Sequence, residues 1–307
     1  GDCNKQIEKA SYYLDNIEDP IREISAHYYM ANCYLNDEKK NEALFHYDFI
    51  TKKPNNNYYT EALKYAGEIT FDANDYKNAL AYFSTLEDVS MDEEDLSLSI
   101  KGQFYCFYYL NNPISTIKYA KKTLQLFNIN KKLKEDSYLY LAKSYQSINQ
   151  LDSAIIYYDS IMYFTKSIAA AESKYHTCEI AFKRKSYELC ESLIMELVQQ
   201  KPSYDYWLAK GILLLGDNFT AQNDYFNAKH SIESIIENYD GFNKKEIVDE
   251  AVLKLESIQK LEIDERQEEP VQQDMEIELE PIEDVNSKLE PQIIEINSTE
   301  NNQDENK

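Results

Sequence analysis

The chain has 307 residues, of which 55 are acidic and 32 are basic, so its formal net charge at pH 7 is −23. Nucleic acids and anionic membrane surfaces bind proteins mainly through cationic side chains, so this charge argues against both as partners. No apolar run in the sequence approaches the roughly 18 residues that cross a bilayer, so we expect no direct membrane insertion. A protein or peptide partner, neutral or basic, fits the composition better.

The first 22 residues predict an interhelical turn followed by a single amphipathic helix. With Gln6 taken as a reference position, this helix is in register with the repeated pattern that follows, because Ala43 lies 37 residues later. Residues 1–22 are therefore interpreted as the second helix of a truncated repeat. We expect the sequence to be the C-terminal portion of a longer protein.

Residues 23–243 contain a pattern that recurs about every 37 residues. The clearest copy pairs Ala142 and Tyr145 in one helix with Ala154 and Tyr158 in the next. The spacings between the small residues that open each second helix are 36, 37, 38, 36 and 38, and these reference residues are Ala43, Ala79, Thr116, Ala154, Cys190 and Ala228. Such self-similarity predicts an all-α solenoid of about six helix pairs.

Each pair has a small residue in its first helix and a large one in its second. The first-helix position lies twelve residues before the reference residue, and a small side chain there lets two helices approach closely. The third copy departs from this rule, since Phe104 occupies the small position and Ala120 the large one. On sequence grounds, we interpret the third copy as degenerate.

This frame of small and aromatic residues resembles that of tetratricopeptide repeat proteins. The resemblance implies a right-handed superhelix of helical hairpins that acts as a non-catalytic scaffold and needs no cofactor. The segment 206–217, followed by Ala228 and Tyr239, is similar to bacterial envelope arrays. That similarity implies a role in envelope assembly or secretion, with a periplasmic or outer-membrane-associated location favoured and a cytoplasmic one left open.

Tetratricopeptide arrays bind their partners mainly on the concave face, which the first helices line. Projecting the frame onto that face predicts partner-binding residues in which aromatic rings anchor and charges select. These residues are Tyr28, Asn32, Leu35, Lys64, Phe71, Tyr105, Tyr108, Lys143, Tyr175 and Phe182. The same projection places Gln146, Glu179, Leu213 and Asp217 on this face.

The C-terminal part of the sequence has a different character. Residues 244–263 predict an amphipathic helix that caps the last repeat, with Ile247, Ala251, Leu255 and Ile258 on one face. Residues 264–307 predict a disordered acidic tail, because residues 262–307 carry sixteen acidic and three basic side chains. Two alternating segments of this tail, 275–280 and 293–296, could instead add a strand to the sheet edge of a partner.

The sequence offers no evident catalytic or metal-binding motif. The four histidines are scattered along the chain and no two of them are spaced as a pair of metal ligands on one helix, so no metal site is predicted. Cys178 and Cys190 fall at contacting positions of one hairpin, where a disulfide is conceivable, but we interpret both as small apolar fillers. A closed, partly desolvated cleft for acid–base chemistry is not expected in an open solenoid, so we predict no enzyme.

Two other classes of function stay open on sequence grounds. One is a carbohydrate-binding outer-membrane lipoprotein built on similar repeats, whose aromatic side chains would stack on sugars. The even spacing of this chain lacks the long insertions of such proteins. The other is a regulatory repeat domain of a larger cytoplasmic signalling protein. The sequence determines neither the partner's identity nor the oligomeric state.

Overall fold

A computed structural model describes residues 3–16 and 19–268, and within these ranges every regular element is an α-helix. The all-α solenoid predicted from the repeat spacing is confirmed. The helices are α1 (Cys3–Asn16), α2 (Pro20–Asn36), α3 (Lys40–Thr51), α4 (Tyr59–Asp72), α5 (Tyr76–Val89), α6 (Glu93–Tyr109), α7 (Pro113–Leu124), α8 (Lys131–Ser147), α9 (Leu151–Phe164), α10 (Ile168–Lys183), α11 (Tyr187–Gln199), α12 (Asp205–Thr220), α13 (Tyr225–Asn238) and α14 (Lys244–Glu268).

Helices α2 to α13 form six antiparallel hairpins, each of which packs against the next along the chain. Helix α1 packs on α2, and α14 packs on α13. Helix α2 begins at Pro20, three residues before the expected boundary, because the Asp19 side chain accepts hydrogen bonds from the first turn and Pro20 is suited to a helix start. Most of the predicted acidic tail, residues 269–307, lies outside the described residues.

The turn inside each hairpin has one backbone geometry that recurs in all six copies. The residue five positions before each reference residue has a positive φ of 53° to 61°. These residues are Glu38, Asn74, Asn111, Asn149, Lys185 and Asn223. Asparagine is among the few non-glycine residues that adopt this left-handed conformation readily. The backbone therefore repeats with the same spacing as the side chains.

The third hairpin keeps the packing of the others with the two side-chain sizes exchanged. In the neighbouring hairpins, a small first-helix residue such as Ala142 is matched with a large second-helix residue such as Tyr158, and both are fully buried. In α6 and α7, Phe104 and Ala120 are likewise fully buried in one core cluster. The copy departs from the sequence pattern but still forms a packed hairpin, with the large residue on the other helix.

The cysteines form one disulfide, which the sequence did not reveal. Cys3 at the start of α1 is bonded to Cys33 in α2, with 5.2 Å between the Cα atoms. This bond holds α1 on the first hairpin. Cys178 and Cys190 are free thiols and are fully buried among apolar side chains. Burial raises the pKa of both thiols, so they act as the small apolar residues that the pattern suggested.

Helix α14 covers the end of the last hairpin with one face and presents a polar face to solvent. Ile247, Ala251 and Ile258 are buried against α12 and α13. Asp249 and Glu256 are exposed on other faces of the same helix. This division between an apolar and a charged face is typical of a terminal cap. The helix extends to Glu268, five residues beyond the expected end.

A buried pair of histidines lies inside the first hairpin. The Nδ1 atoms of His27 and His46 are 2.8 Å apart, so one ring donates a hydrogen bond and the other accepts it. The His27 ring also stacks on Phe49 with 3.7 Å between centroids. Burial, together with the neighbouring His46, lowers the pKa of His27 to about 4, and burial lowers the pKa of His46 as well.

Acidification will therefore destabilise the first hairpin. Because the folded-state pKa of His27 lies below its unfolded value, the stabilisation is complete above pH 6.5 and is lost as the pH falls from 6.5 towards 4. When the pH falls from 7.5 to 5.0, we expect the free energy of local opening of α2 and α3 to decrease by about 1–2 kcal/mol. Amide hydrogen exchange, analysed by mass spectrometry of peptides from α2 and α3, measures this difference.

The double variant H27Q/H46Q should show a smaller pH dependence in these peptides. The single variant H230Q is the matched control, since His230 is exposed and lies in α13. An equal pH response in the double variant and the wild-type protein would contradict the assignment to the buried pair.

Candidate functional site

The first helices of the hairpins line one face of the array, which we call the groove face. Successive first helices contact one another directly, as α4 does with α6, α10 with α12, and α12 with α14. Contacts between successive second helices are weaker. The array therefore curves with the groove face on its inner side.

Four of the ten predicted partner-binding residues bridge to a carboxylate on the next first helix. Each bridge joins one repeat to its neighbour, so these side chains also hold the array together. The bridges are Tyr28 to Glu61 (2.8 Å), Lys64 to Asp95 (3.8 Å), Tyr105 to Asp136 (2.9 Å) and Lys143 to Glu172. Towards the C-terminus, Lys210 and Glu250 make the same kind of bridge at 3.0 Å.

The other six predicted residues are also engaged with neighbouring side chains. In the N-terminal half, the Asn32 amide oxygen accepts a hydrogen bond from Tyr47 at 2.5 Å, and Leu35 packs against the adjoining core. Three others are in ring contacts: the ring centroids are 6.1 Å apart for Phe71 and Tyr105, 3.6 Å for the stacked pair Tyr108 and Tyr140, and 6.1 Å for Phe182 and Tyr187. The Tyr175 hydroxyl donates a hydrogen bond of 2.9 Å to the Glu179 carboxylate.

A chain of charged side chains runs along the middle of the groove face, from Lys143 through Glu172 and His176 to Glu179. The Nδ1 atom of His176 lies 2.5 Å from Oε2 of Glu179, and its Nε2 atom lies 3.8 Å from Oε1 of Glu172. Burial favours the neutral forms, but hydrogen bonds and opposite charges outweigh it. The pKa values of both carboxyls are therefore lowered, and the pKa of His176 is raised.

Beside this chain lies a cavity of about 330 Å³ formed by residues of α8, α9, α10, α12 and α14. Six of the residues projected onto the groove face line it together: Gln146, Tyr175, Glu179, Phe182, Leu213 and Asp217. A second, wider concavity of about 910 Å³ lies between α12 and α14 and shares Asp217 and Glu250 with the first. Both concavities therefore lie near Asp217 and Glu250 in the C-terminal part of the array.

Several lining residues of the 330 Å³ cavity were not predicted from the sequence. Leu151 comes from the first turn of α9, outside the first helices that the projection considered. Lys183, Lys210 and Glu250 complete the polar part of the wall. Lys210 and Glu250 lie 40 residues apart and meet only because α12 and α14 are adjacent, so the sequence carried no local signal for their pairing.

Solved structures of other proteins have a similar architecture. No protein-family model and no curated protein sequence match the chain. Among solved structures, the C-terminal part of a tetratricopeptide-repeat-containing protein from Cytophaga hutchinsonii is similar, with 16% identity and a TM-score of 0.54 over 82% of this chain and 94% of that one. The chain has the tetratricopeptide repeat fold.

A tetratricopeptide repeat protein from Parabacteroides merdae is also similar, with 13% identity and a TM-score of 0.41 over 81% of this chain and 98% of that one. Within the described part of the tetratricopeptide array, no helix is both long and apolar enough to cross a membrane.

Proposed function

We propose that this tetratricopeptide array is a non-catalytic scaffold that binds an extended peptide segment of a protein partner along the groove face. The observation that carries the proposal is the 330 Å³ cavity, which combines apolar and polar walls. Leu151 and Phe182 provide apolar surface, while Glu179 and Lys183 offer an acceptor and a donor. Such a wall suits an apolar side chain flanked by peptide groups that need hydrogen bonds.

The charges of the cavity favour a partner segment that is neutral or weakly basic around its anchor. Glu179, Asp217 and Glu250 bring three carboxylates to the wall, against the two ammonium groups of Lys183 and Lys210. The protein as a whole is strongly acidic, so an acidic segment would be repelled over longer distances. An apolar residue next to lysine or arginine fits both observations.

We also propose that the protein is located in the bacterial envelope. The Cys3–Cys33 disulfide supports it, because such bonds persist in oxidising compartments such as the periplasm and are rare in the cytosol. A role in assembly or secretion complexes would use the array as the surface that gathers partner segments. A regulatory role in the cytoplasm is less compatible with this disulfide.

The test is selection of binding peptides from a random display library, followed by affinity measurement with the best peptide. We expect F182A to weaken binding at least tenfold, because Phe182 supplies apolar contact surface in the cavity wall. F226A is the matched control, since Phe226 is 77% exposed and lies on a second helix.

Equal losses for the two variants, or none for F182A, would contradict the groove proposal. The same protein is applied to a glycan array. Glycan binding without any selected peptide would support carbohydrate recognition instead.

A further inference from the structure

The acidic chain contains one long stretch without any acidic side chain. Residues 96–134 include seven lysines and neither aspartate nor glutamate, although the whole chain has 55 acidic residues. Six of these lysines lie on α7 and the first turn of α8. We call this group the lysine corner: Lys118, Lys121, Lys122, Lys131, Lys132 and Lys134.

Four lysines of the corner lie over aromatic rings, and one of them, Lys122, also pairs with Glu87. The ammonium groups of Lys118, Lys121 and Lys134 lie 5.4, 5.5 and 5.0 Å from the ring centroids of Tyr119, Tyr145 and Phe164, respectively. A cation held over a ring keeps much of its capacity to attract an anion. These three lysines are therefore available to an acidic ligand.

The carboxylates next to the lysine corner do little to cancel its outward charge. Lys132 pairs with Asp136 at 2.8 Å, Lys131 lies 3.8 Å from Glu135, and Lys122 pairs with Glu87 at 2.6 Å. Asp136 and Glu135 are only 6% and 7% exposed, whereas Lys131 and Lys132 are exposed. Lys122 is not counted among the lysines available to an acidic ligand, because Glu87 pairs with it. The surface that meets solvent is consequently positive in a protein of the opposite overall sign.

The chain itself contains a segment of complementary charge. Residues 269–307 carry twelve acidic and two basic side chains, a net charge of −10 over 39 residues. This segment follows α14, which ends at Glu268. Helices α14 and α8 are three first-helix steps apart, or about 30 Å at the usual 8–10 Å between packed helices.

The length of the segment matches that distance. The segment has 39 residues, and random-coil statistics for that length give a root-mean-square span of about 35 Å. A tethered ligand that can reach its site has an effective concentration in the millimolar range. Weak ionic contacts suffice for binding at such a concentration. We propose that residues 269–307 dock within the same molecule on the lysine corner, which is formed by α7 and the first turn of α8.

Carbodiimide cross-linking of the full chain tests this proposal, because the reagent joins carboxylates to amines in direct contact. At 50 mM NaCl, we expect links from residues 269–307 to concentrate on Lys118, Lys121 and Lys134, and to fall at least fivefold at 500 mM NaCl. Mixing ¹⁴N- and ¹⁵N-labelled protein identifies links within one molecule. Links spread over exposed lysines in general, or predominantly between two copies, would overturn the proposal.

A second measurement does not depend on lysine chemistry. Digestion by a glutamate-specific protease is followed at bonds within residues 269–307 at low salt. We expect K118Q/K121Q/K134Q to be cleaved at least threefold faster than K52Q/K77Q/K185Q, which removes the same charge from exposed lysines in other repeats. Equal rates in the two triple variants would count against docking at the lysine corner.

Discussion

Replacing Phe104 with alanine will lower the free energy of unfolding by about 3–5 kcal/mol, the usual cost of removing a fully buried aromatic ring. Phe104 has no exposed surface and belongs to the largest core cluster, so the surrounding helices cannot close the cavity completely. The complementary change, A120F, will also destabilise, because an extra ring is forced beside the existing one. Urea denaturation at constant pH measures both changes.

The decisive measurement is the double variant F104A/A120F, which restores the size order of the other five hairpins. We expect its loss to be at least 2 kcal/mol smaller than the sum of the two single losses, because one ring then fills the space vacated by the other. F127A is the control, since Phe127 is 91% exposed and its removal should change stability by less than about 0.5 kcal/mol. Additive losses in the double variant would show that the two positions do not exchange roles.

Replacing Lys143 with methionine will lower the free energy of unfolding by about 2–3 kcal/mol at pH 8. The change removes the main cation of Glu172, whose side chain is only 13% exposed, and leaves His176 at 3.8 Å as its nearest basic group. A buried carboxylate without its partner is much less stable than the intact pair. Denaturation and amide exchange in α8 and α10 report this loss.

The loss in K143M should be smaller at pH 6 than at pH 8. Since the pKa of His176 is raised, the imidazole is charged more fully at the lower pH and can replace part of the missing attraction. The control is K40M, which breaks a bridge of 2.6 Å to Asp72 in which both side chains are more than half exposed. That change should alter stability by less than about 1 kcal/mol, and similar losses in the two variants would contradict the role given to burial.

The fold could be predicted because the information for it is local and repeated. The position of each second helix follows from one small residue, such as Ala154. The positive φ at the turn residue five positions earlier, such as Asn149, was found only in the structure. Each hairpin can be recognised without knowledge of distant contacts. The exchange of sizes in the third hairpin was not predicted because the rule was applied to one helix at a time, whereas packing depends on the combined volume of Phe104 and Ala120.

The candidate site was less predictable because its geometry depends on contacts between repeats. Projection onto the groove face identified residues that line the cavity, including Tyr175 and Phe182. It could not show that Lys143 and Tyr105 are committed to carboxylates on the following helix. The Cys3–Cys33 disulfide was missed for a similar reason, since it joins two helices across 30 residues of sequence.

The bridges along the groove face also bear on how the array responds to mechanical load. In a linear array, each repeat is stabilised mainly by its neighbours, and these bridges add to five of the six interfaces between successive first helices from α2 to α14. Their atoms lie on the inner side of the curve, so straightening the array would stretch them before it disturbs the apolar interfaces. The bridges would therefore resist straightening of the array. A partner that inserts between the charged groups would change the curvature of the array as well as occupy the groove.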